Sequence, residues 1–145
     1  GDGVIDLAVG AIGDDDGGSS AGAVYILFLT SSGSVTSYEK LSNSYGLLEF
    51  RLDASDHFGR TVASLGDLDG DGVIDLAVGA IGDDDGGSSA GAVYILFLTS
   101  SGSVTSYEKL SNSYGLLEFR LDASDHFGRT VASLGDLDGD GVIDL

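Results

Sequence analysis

The sequence predicts an all-β fold built from two copies of one repeat. Three observations support this: a long string recurs at a fixed spacing, short apolar segments lie between glycine-rich turns, and no 3.6-residue periodicity of useful length is found. A repeat of several tens of residues indicates a stacked or radial architecture and takes precedence over a single-domain interpretation.

The repeat is visible without alignment. The string GDGVIDLAVGAIGDDDGGSSAG begins at Gly1 and again at Gly70, and its first seven letters return at Gly139. This spacing of 69 residues divides the chain into repeat 1 (1–69), repeat 2 (70–138) and the start of a third repeat (139–145). The two copies are identical at every position, which indicates a recent amplification, a designed consensus chain or part of a longer symmetric array.

Four strands are predicted in each repeat. Residues 61–65 are β-branched at their start and lie between glycines, and residues 76–81 alternate in side-chain size. Residues 92–98 are continuously apolar, which predicts burial on both faces, whereas the mixed segment 103–111 suits the outer edge of a sheet. The remaining segment, 112–128, is expected to tie adjacent units together. This size and strand count fit a β-propeller blade; a solenoid and a sandwich remain alternatives.

The charge balance narrows the class of partner. Among 145 residues there are 24 acidic and 6 basic side chains, for a net charge of −18. A field of this sign repels phosphate, so nucleic acid and anionic membrane surfaces are not expected partners, while divalent cations are. The hydrophobic content of 42% argues against disorder, and no apolar run is long enough to predict a membrane span.

The motif that carries chemistry is the acidic loop DLDGDGVID. It is complete at 67–75 and 136–144, and its second half occupies 1–6. Ca²⁺ takes about 6–8 oxygen ligands in proteins, so aspartates at alternate positions of a tightly turned backbone suit this ion. The predicted Ca²⁺ ligands are the carboxylates of Asp67, Asp69, Asp71 and Asp75 with the Val73 carbonyl; Asp136, Asp138, Asp140 and Asp144 with the Val142 carbonyl; and Asp2, Val4 and Asp6 in the incomplete copy.

Other calcium loops share the DxDxDG core but differ in the residues after it. An EF-hand requires glutamate at the twelfth loop position, where this chain has Val78, and it requires flanking helices. Dockerin-type loops also continue into helices, and thrombospondin-type repeats place such loops much closer together than one per 69 residues. None of these classes is therefore predicted.

The residues around the loop resemble the FG-GAP repeat of integrin α-subunit propellers and of many bacterial surface proteins. Phe-Gly at 58–59 and 127–128 precedes the first strand, GDLDGDGVIDLAVGA runs through the loop and the second strand, and GGSSAGAVYILF leads into the third. One departure is Gly-Ala-Ile at 10–12 and 79–81, where the family has Gly-Ala-Pro. We expect this change to alter the turn after the second strand without affecting the metal loop.

This resemblance implies a β-propeller of four-stranded antiparallel blades, of which this chain holds two blades' worth. It also implies that the calcium loop joins the first two strands on one face, that complete rings have seven blades, and that the location is extracellular or at the cell surface. Because the chain holds two units, we expect either self-association with other copies to close a ring or a longer parent chain.

The resulting functional hypothesis is a calcium-binding structural repeat scaffold that folds or assembles into a propeller. The alternative is an extracellular adhesion or ligand-binding module like the integrin α head. Identical loops offer an asymmetric ligand no distinctive surface, so a protein or glycan ligand is not supported. An enzyme is not predicted, because no nucleophile with a base is recognisable and the only cofactor indicated is Ca²⁺.

Weaker signals have structural interpretations. The aspartates at 14–16 and 83–85 are predicted to form a solvated turn rather than a second cation site. His57 and His126 are expected to have a structural role beside the Phe-Gly turn rather than a catalytic one. The tyrosines are expected to pack in strands rather than to form a recognition surface; they are Tyr25, Tyr38, Tyr45, Tyr94, Tyr107 and Tyr114.

Overall fold

A computed structural model describes residues 3–46, 50–115 and 119–145 of the chain. Within these residues the fold consists of strands and turns, without a helix, which confirms the all-β class. No helix in this described part has the length and apolarity needed to cross a membrane. The strands are β1 (Leu7–Ala11), β2 (Ala23–Leu29), β3 (Val35–Leu41), β4 (Phe58–Gly66), β5 (Asp75–Ala80), β6 (Ala92–Leu98) and β7 (Val104–Leu110).

The strands form two antiparallel sheets in which chain neighbours are sheet neighbours. Sheet 1 has the order β1-β2-β3, and sheet 2 has the order β4-β5-β6-β7. The predicted strand at 92–98 coincides with β6, and the other three predictions lie within one residue of the observed ends except at the start of β4. β4 begins three residues earlier than predicted because Phe58 already pairs with Ala80 of β5.

The two sheets repeat one register. Leu7 pairs with Leu27 in sheet 1 as Leu76 pairs with Leu96 in sheet 2. Within the described ranges, however, sheet 1 has no counterpart of β4, and residues 130–134 form no strand although they carry the same letters as 61–65. A strand needs a neighbour to satisfy its backbone groups, and the described residues provide one for 61–65 alone.

The main hydrophobic core lies between the sheets. It joins the inner face of sheet 1 to the facing side of sheet 2, and its largest fully buried members include Val24, Leu41, Phe58, Tyr94 and Leu96. A second cluster on the far side of β6 contains Val93 and Ile95 with Phe127 packed against them. β6 is therefore covered on both faces, as predicted.

The identical sequence of β2 is less buried than that of β6. Tyr25 and Leu27 are half-buried, whereas the equivalent Tyr94 and Leu96 are almost fully buried. The reason is that sheet 1 covers one face of β6, while no described segment covers the corresponding outer face of β2.

The Phe-Gly motif connects successive units through close backbone contacts. Phe58 forms a parallel bridge with Gly22, and a Cβ on Gly10 would overlap the carbonyl oxygen of Gly59. The same approach recurs 69 residues later, where a Cβ on Gly79 would overlap the Gly128 carbonyl. Glycine is needed at these places because the main chains approach more closely than any side chain allows.

Candidate metal-binding loops

The loop at 67–75 joins the end of β4 to the start of β5. Carboxylate oxygens of Asp67, Asp69 and Asp71 lie within 4.8 Å of one another, and all three residues are exposed. Strand pairing of Gly66 with Asp75 closes the loop at its base. Three of the predicted ligands are thus brought together at one end of sheet 2.

Backbone hydrogen bonds turn the aspartates toward one another. The backbone N–H groups of Gly70 and Gly72 donate to the Asp67 carboxylate at 2.8 and 2.9 Å, and the Val73 N–H donates to Asp71 Oδ1 at 2.7 Å. Gly70 and Gly72 have φ angles of 83° and 88°, which favour glycine over other residues. The loop sequence therefore builds its own tight turn from aspartate side chains and glycine backbones.

Asp75, the fourth predicted carboxylate, has a different environment. Its side chain is fully buried and lies outside the group of three. Asp75 Oδ2 accepts a hydrogen bond from the Leu68 N–H at 2.9 Å, and Oδ1 accepts one from the Leu98 N–H at 3.1 Å. Asp75 therefore links the loop to β6. Each carboxylate oxygen keeps a second lone pair, so its role as a metal ligand stays a prediction.

The second complete loop, 136–144, brings together a different set. Oxygens of Asp136, Asp138 and Asp144 lie within 4.8 Å of one another, and Asp140 lies outside this group. Asp144 Oδ2 accepts a hydrogen bond from the Leu137 N–H at 2.8 Å. Since no described strand equivalent to β6 holds Asp144, its carboxylate turns toward the loop.

Part of the incomplete N-terminal copy is described. Asp6 Oδ1 accepts a hydrogen bond from the Leu29 N–H at 2.9 Å, which is the counterpart of the contact between Asp75 and Leu98. Val4 is half-buried, and the predicted ligand Asp2 lies outside the described residues. Asp6 is thus held by sheet 1 and is exposed on its other side.

The donor set fits a hard divalent cation. Each complete loop presents three converging carboxylates at an exposed turn, and carboxylate oxygens are the ligands that Ca²⁺ and Mg²⁺ prefer. A bound cation would also offset the mutual repulsion of charges held this close together.

The acidic stretch at 83–85 takes part in an ion-pair cluster. Lys109 Nζ lies 2.6 Å from Asp83 Oδ2 and 2.5 Å from Asp85 Oδ2, and Tyr94 Oη donates to Asp83 at 3.3 Å. The prediction of a solvated turn is wrong for Asp83, which is 3% exposed. Burial alone would lower the pKa of Lys109, but its hydrogen bonds to Asp83 and Asp85 raise it above the ordinary value.

The equivalent cluster in repeat 1 is more open. Lys40 Nζ lies 2.8 Å from Asp14 Oδ2 and 2.6 Å from Asp16 Oδ2. The hydrogen bond from Lys40 lowers the pKa of Asp16. Sequence analysis missed both lysines because the pairing depends on the register that sets Tyr25 opposite Lys40 in the sheet.

The histidines and tyrosines are distributed partly as predicted. Nδ1 of His57 lies 3.3 Å from the Ile12 carbonyl oxygen, and Nδ1 of His126 lies 3.2 Å from that of Ile81. These contacts fit the structural role expected beside the Phe-Gly turn. Tyr94 packs in the core as predicted. Three other tyrosines are more than half exposed and do not pack as predicted: Tyr38, Tyr45 and Tyr114.

Comparison with known families gives a match to part of the chain. Residues 52–97 match the family model described as the FG-GAP repeat. The matched stretch runs through β4, the acidic loop and β5 and ends one residue before the end of β6. Residues 1–28 have the same sequence as 70–97 of the matched stretch, and residues 121–145 have the same sequence as 52–76.

Proposed function

Because residues 52–97 of this chain are an FG-GAP repeat, we propose that the protein is a calcium-binding structural scaffold of the β-propeller type. FG-GAP repeats are a structural and adhesion family rather than an enzyme family. In this proposal sheet 2 is one four-stranded blade and sheet 1 is three strands of another. The core between the two sheets supports this assignment, since adjacent blades of a propeller bury their faces against each other.

One observation carries the calcium assignment: the convergence of Asp67, Asp69 and Asp71 at the turn between β4 and β5. A bound Ca²⁺ supplies positive charge and oxygen coordination there. The chain's own residues do the rest, because the loop backbone orients the carboxylates and Asp75 ties the loop to β6. Calcium binding would thereby stabilise the junction between two strands of one sheet.

The expected gain in stability is modest. A ligand that binds only the folded state stabilises it by RT ln(1 + [L]/Kd), which is about 1.4 kcal/mol for a site with a Kd of about 0.1 mM in about 1 mM Ca²⁺. Extracellular calcium modules have affinities of about 0.1–1 mM. The proposal therefore includes an extracellular or cell-surface location, where such sites stay filled.

Thermal unfolding in CaCl₂ and in EDTA tests the proposal. We expect chelation to lower the Tm by several degrees, and we expect Asp71→Ala and Asp140→Ala each to remove part of the calcium response. Both variants should melt near the wild type in EDTA, because each carboxylate is exposed and water can replace it as the acceptor of its one backbone hydrogen bond. Titration calorimetry with CaCl₂ should show binding that the double variant lacks.

The matched control is Glu108→Ala, which removes an exposed acidic side chain from β7 outside the loops. This variant should keep the full calcium response. An identical wild-type melting curve in CaCl₂ and in EDTA would contradict the proposed function, as would an equal loss of response in the control.

A further inference from the structure

A cleft of about 290 Å³ lies where the turn that follows β5 meets the segment that precedes β4. Its lining comes from residues 54–57, from the turn at 81–89 and from His126. The chain has two histidines, and both of them line this cleft, although His57 belongs to repeat 1 and His126 to repeat 2. Residues that are far apart in the sequence are therefore brought to one cavity, which we call the histidine cleft.

Backbone contacts hold the two histidines next to the same pair of residues, Ile81 and Gly82. The Gly82 N–H donates to the Asp56 carbonyl oxygen at 3.0 Å, and His57 directly follows Asp56 in the chain. His126 approaches from the other repeat, with its Nδ1 3.2 Å from the Ile81 carbonyl oxygen. The fold therefore places both imidazoles beside one short stretch of the turn.

Each imidazole uses one ring nitrogen for a backbone contact. Nδ1 of His57 lies 3.3 Å from the Ile12 carbonyl oxygen, and Nδ1 of His126 makes the contact with Ile81. A carbonyl oxygen only accepts hydrogen bonds, so each of these contacts places the proton of the neutral ring on Nδ1. Nε2 then carries the lone pair. Histidines that bind metals commonly have this arrangement, in which the other ring nitrogen donates to a carbonyl or a carboxylate.

Asp84 adds a carboxylate to the histidine cleft. Its neighbours Asp83 and Asp85 pair with Lys109, whereas Asp84 is exposed and lies in the lining of the cleft. Asp84 Oδ1 accepts a hydrogen bond from the Ser89 N–H at 2.7 Å, which holds the side chain against the turn. A carboxylate has about four lone-pair sites, so this bond leaves it able to bind a cation.

Unfavourable backbone angles are concentrated around the same cleft. Among the described residues, six other than glycine have a positive φ, and four of these six line the cleft: Ser55, His57, Ser89 and His126. Their φ angles are 69°, 55°, 49° and 55°. Residues with side chains adopt such angles at a cost, and they do so most often at functional sites, where the surrounding structure holds them in place. The strain therefore points to the same cavity as the histidines do.

Two imidazoles and one carboxylate select a different cation from the one that suits the acidic loops. Ca²⁺ takes oxygen ligands, whereas imidazole nitrogen suits zinc, copper and nickel. An anion is disfavoured, because Asp84 lines the cleft and the chain has a net charge of −18. Zn²⁺ commonly has four ligands in proteins, so two histidines, one aspartate and one water molecule would complete its coordination.

We propose that His57, His126 and Asp84 bind Zn²⁺ or a similar transition-metal cation in the histidine cleft, apart from the calcium loops. The protein ligands are Nε2 of each imidazole and one carboxylate oxygen. These three atoms do not all lie within 4.8 Å of one another in the structure, so binding draws the side chains together. The bound metal would link the segment before β4 to the turn after β5 and to the second repeat's Phe-Gly motif.

Titration calorimetry with ZnCl₂ at pH 7.5 tests the site, in excess CaCl₂ so that Ca²⁺ competes for the acidic loops. We expect saturable binding that His57→Asn and His126→Asn each weaken at least about tenfold, since even groups that only orient metal ligands contribute about 10–100-fold to affinity. Asparagine is chosen because it tolerates a positive φ and its amide can donate to the same carbonyl. Unchanged zinc affinity in both variants overturns the proposal.

A matched pair of aspartate variants tests the third ligand. Asp15 is the counterpart of Asp84 in repeat 1; it is also exposed and accepts from the Ser20 N–H at 2.8 Å, but it does not line the histidine cleft. Asp84→Asn should weaken zinc binding, and Asp15→Asn should bind zinc like the wild type. An equal effect of the two substitutions overturns the assignment of Asp84.

The wild-type protein gives a readout that needs no variant. Long-range ¹H–¹⁵N NMR of the two imidazoles should show that Zn²⁺ shifts the Nε2 signal of both His57 and His126. Zinc affinity should also fall at least about tenfold between pH 7.5 and 5.5, because an imidazole binds metal only when neutral, whereas a site made of carboxylates keeps its ligands over this range. Unshifted Nε2 signals in the presence of bound Zn²⁺ overturn the proposal, as does an affinity that does not vary with pH.

The zinc site and the calcium scaffold fail separately. A Tm that depends on Ca²⁺, without zinc binding that depends on the histidines, overturns the zinc site and leaves the proposed function intact. Zinc binding that depends on the histidines and persists in the Asp71→Ala, Asp140→Ala double variant supports the zinc site, even if the wild type melts equally in CaCl₂ and in EDTA. Zinc binding that the double variant loses while both histidines are present overturns the zinc site, because the ion then binds to the acidic loops.

Discussion

Asp56 is a buried acid beside the ion-pair cluster of Lys109. It is 5% exposed, and its Oδ2 accepts a hydrogen bond from the Asp53 N–H at 2.8 Å. Burial raises the pKa of Asp56 to about 6; the hydrogen bond from Asp53 opposes this shift, and the charge of Asp83 adds to it. At neutral pH the side chain is therefore ionised in surroundings that favour its neutral form.

At the scale of this residue we predict that Asp56→Asn stabilises the protein above pH 6. Because the folded pKa lies above the ordinary value of about 3.9, the contribution of Asp56 to stability is full below about pH 4 and is lost as the pH rises through 6. The asparagine carries no charge and can still accept from Asp53. We expect a gain of about 1–2 kcal/mol at pH 7.5 and little change at pH 4.5, measured by urea unfolding.

The control for this prediction is Asp125→Asn, the same substitution at the equivalent exposed position. Asp125→Asn should leave the free energy of unfolding unchanged at both pH values. A gain for Asp56→Asn that does not vary with pH would show that charge burial is not its source.

At the scale of elements, the junction between the acidic loop and the sheet depends on one buried carboxylate. Asp75 receives N–H groups from the loop and from β6, so it connects three parts of sheet 2: the turn, the start of β5 and the end of β6. Asp144 occupies the same sequence position but is half-buried and has one such donor. A comparison of Asp75 with Asp144 therefore separates the effect of burial on stability from the effect of the local sequence.

We predict that Asp75→Ala lowers the free energy of unfolding by about 2–4 kcal/mol, because it leaves the Leu68 and Leu98 N–H groups without their acceptor. Asp144→Ala should cost less than about 1 kcal/mol, since Leu137 is 72% exposed and water can replace the carboxylate. Urea unfolding in EDTA measures both without a contribution from bound metal. Equal losses would contradict a structural role for Asp75.

At the scale of the whole molecule, a net charge of −18 opposes the compact fold, because like charges are closer together in the folded chain than in the unfolded one. The repulsion acts over the Debye length, which falls from about 30 Å at 0.01 M salt to about 10 Å at 0.1 M. Salt should therefore stabilise the fold.

We predict that the Tm of the protein rises by several degrees when NaCl is raised from 20 to 300 mM in metal-free buffer, as measured by circular dichroism. CaCl₂ should act more strongly than NaCl of equal ionic strength if the loops bind the ion, because bound Ca²⁺ reduces the charge directly. A Tm that stays the same or falls at higher salt would mean that repulsion among the acidic side chains does not limit the stability of the fold.

Sequence reasoning located the strands and the loops because these depend on local chemistry. The apolar run of β6 and the glycine-bounded segment within β4 were recognisable from composition and spacing. Asp67, Asp69 and Asp71 were identified because alternate aspartates around glycines favour a tight turn through local hydrogen bonds. Lys109 was missed because its contact with Asp83 crosses 26 residues of chain and depends on the pairing of β6 with β7.

By itself the sequence determined the all-β class, the 69-residue period and the position of each acidic loop. Only the tertiary structure decided what each copy of a residue does. Tyr94 is buried while Tyr25 is half-buried, and Asp75 binds both the loop and the strand while Asp6 and Asp144 each bind one. Identical residues differ in this way because burial and hydrogen bonding depend on neighbouring elements, and the described neighbours of the two copies are not the same.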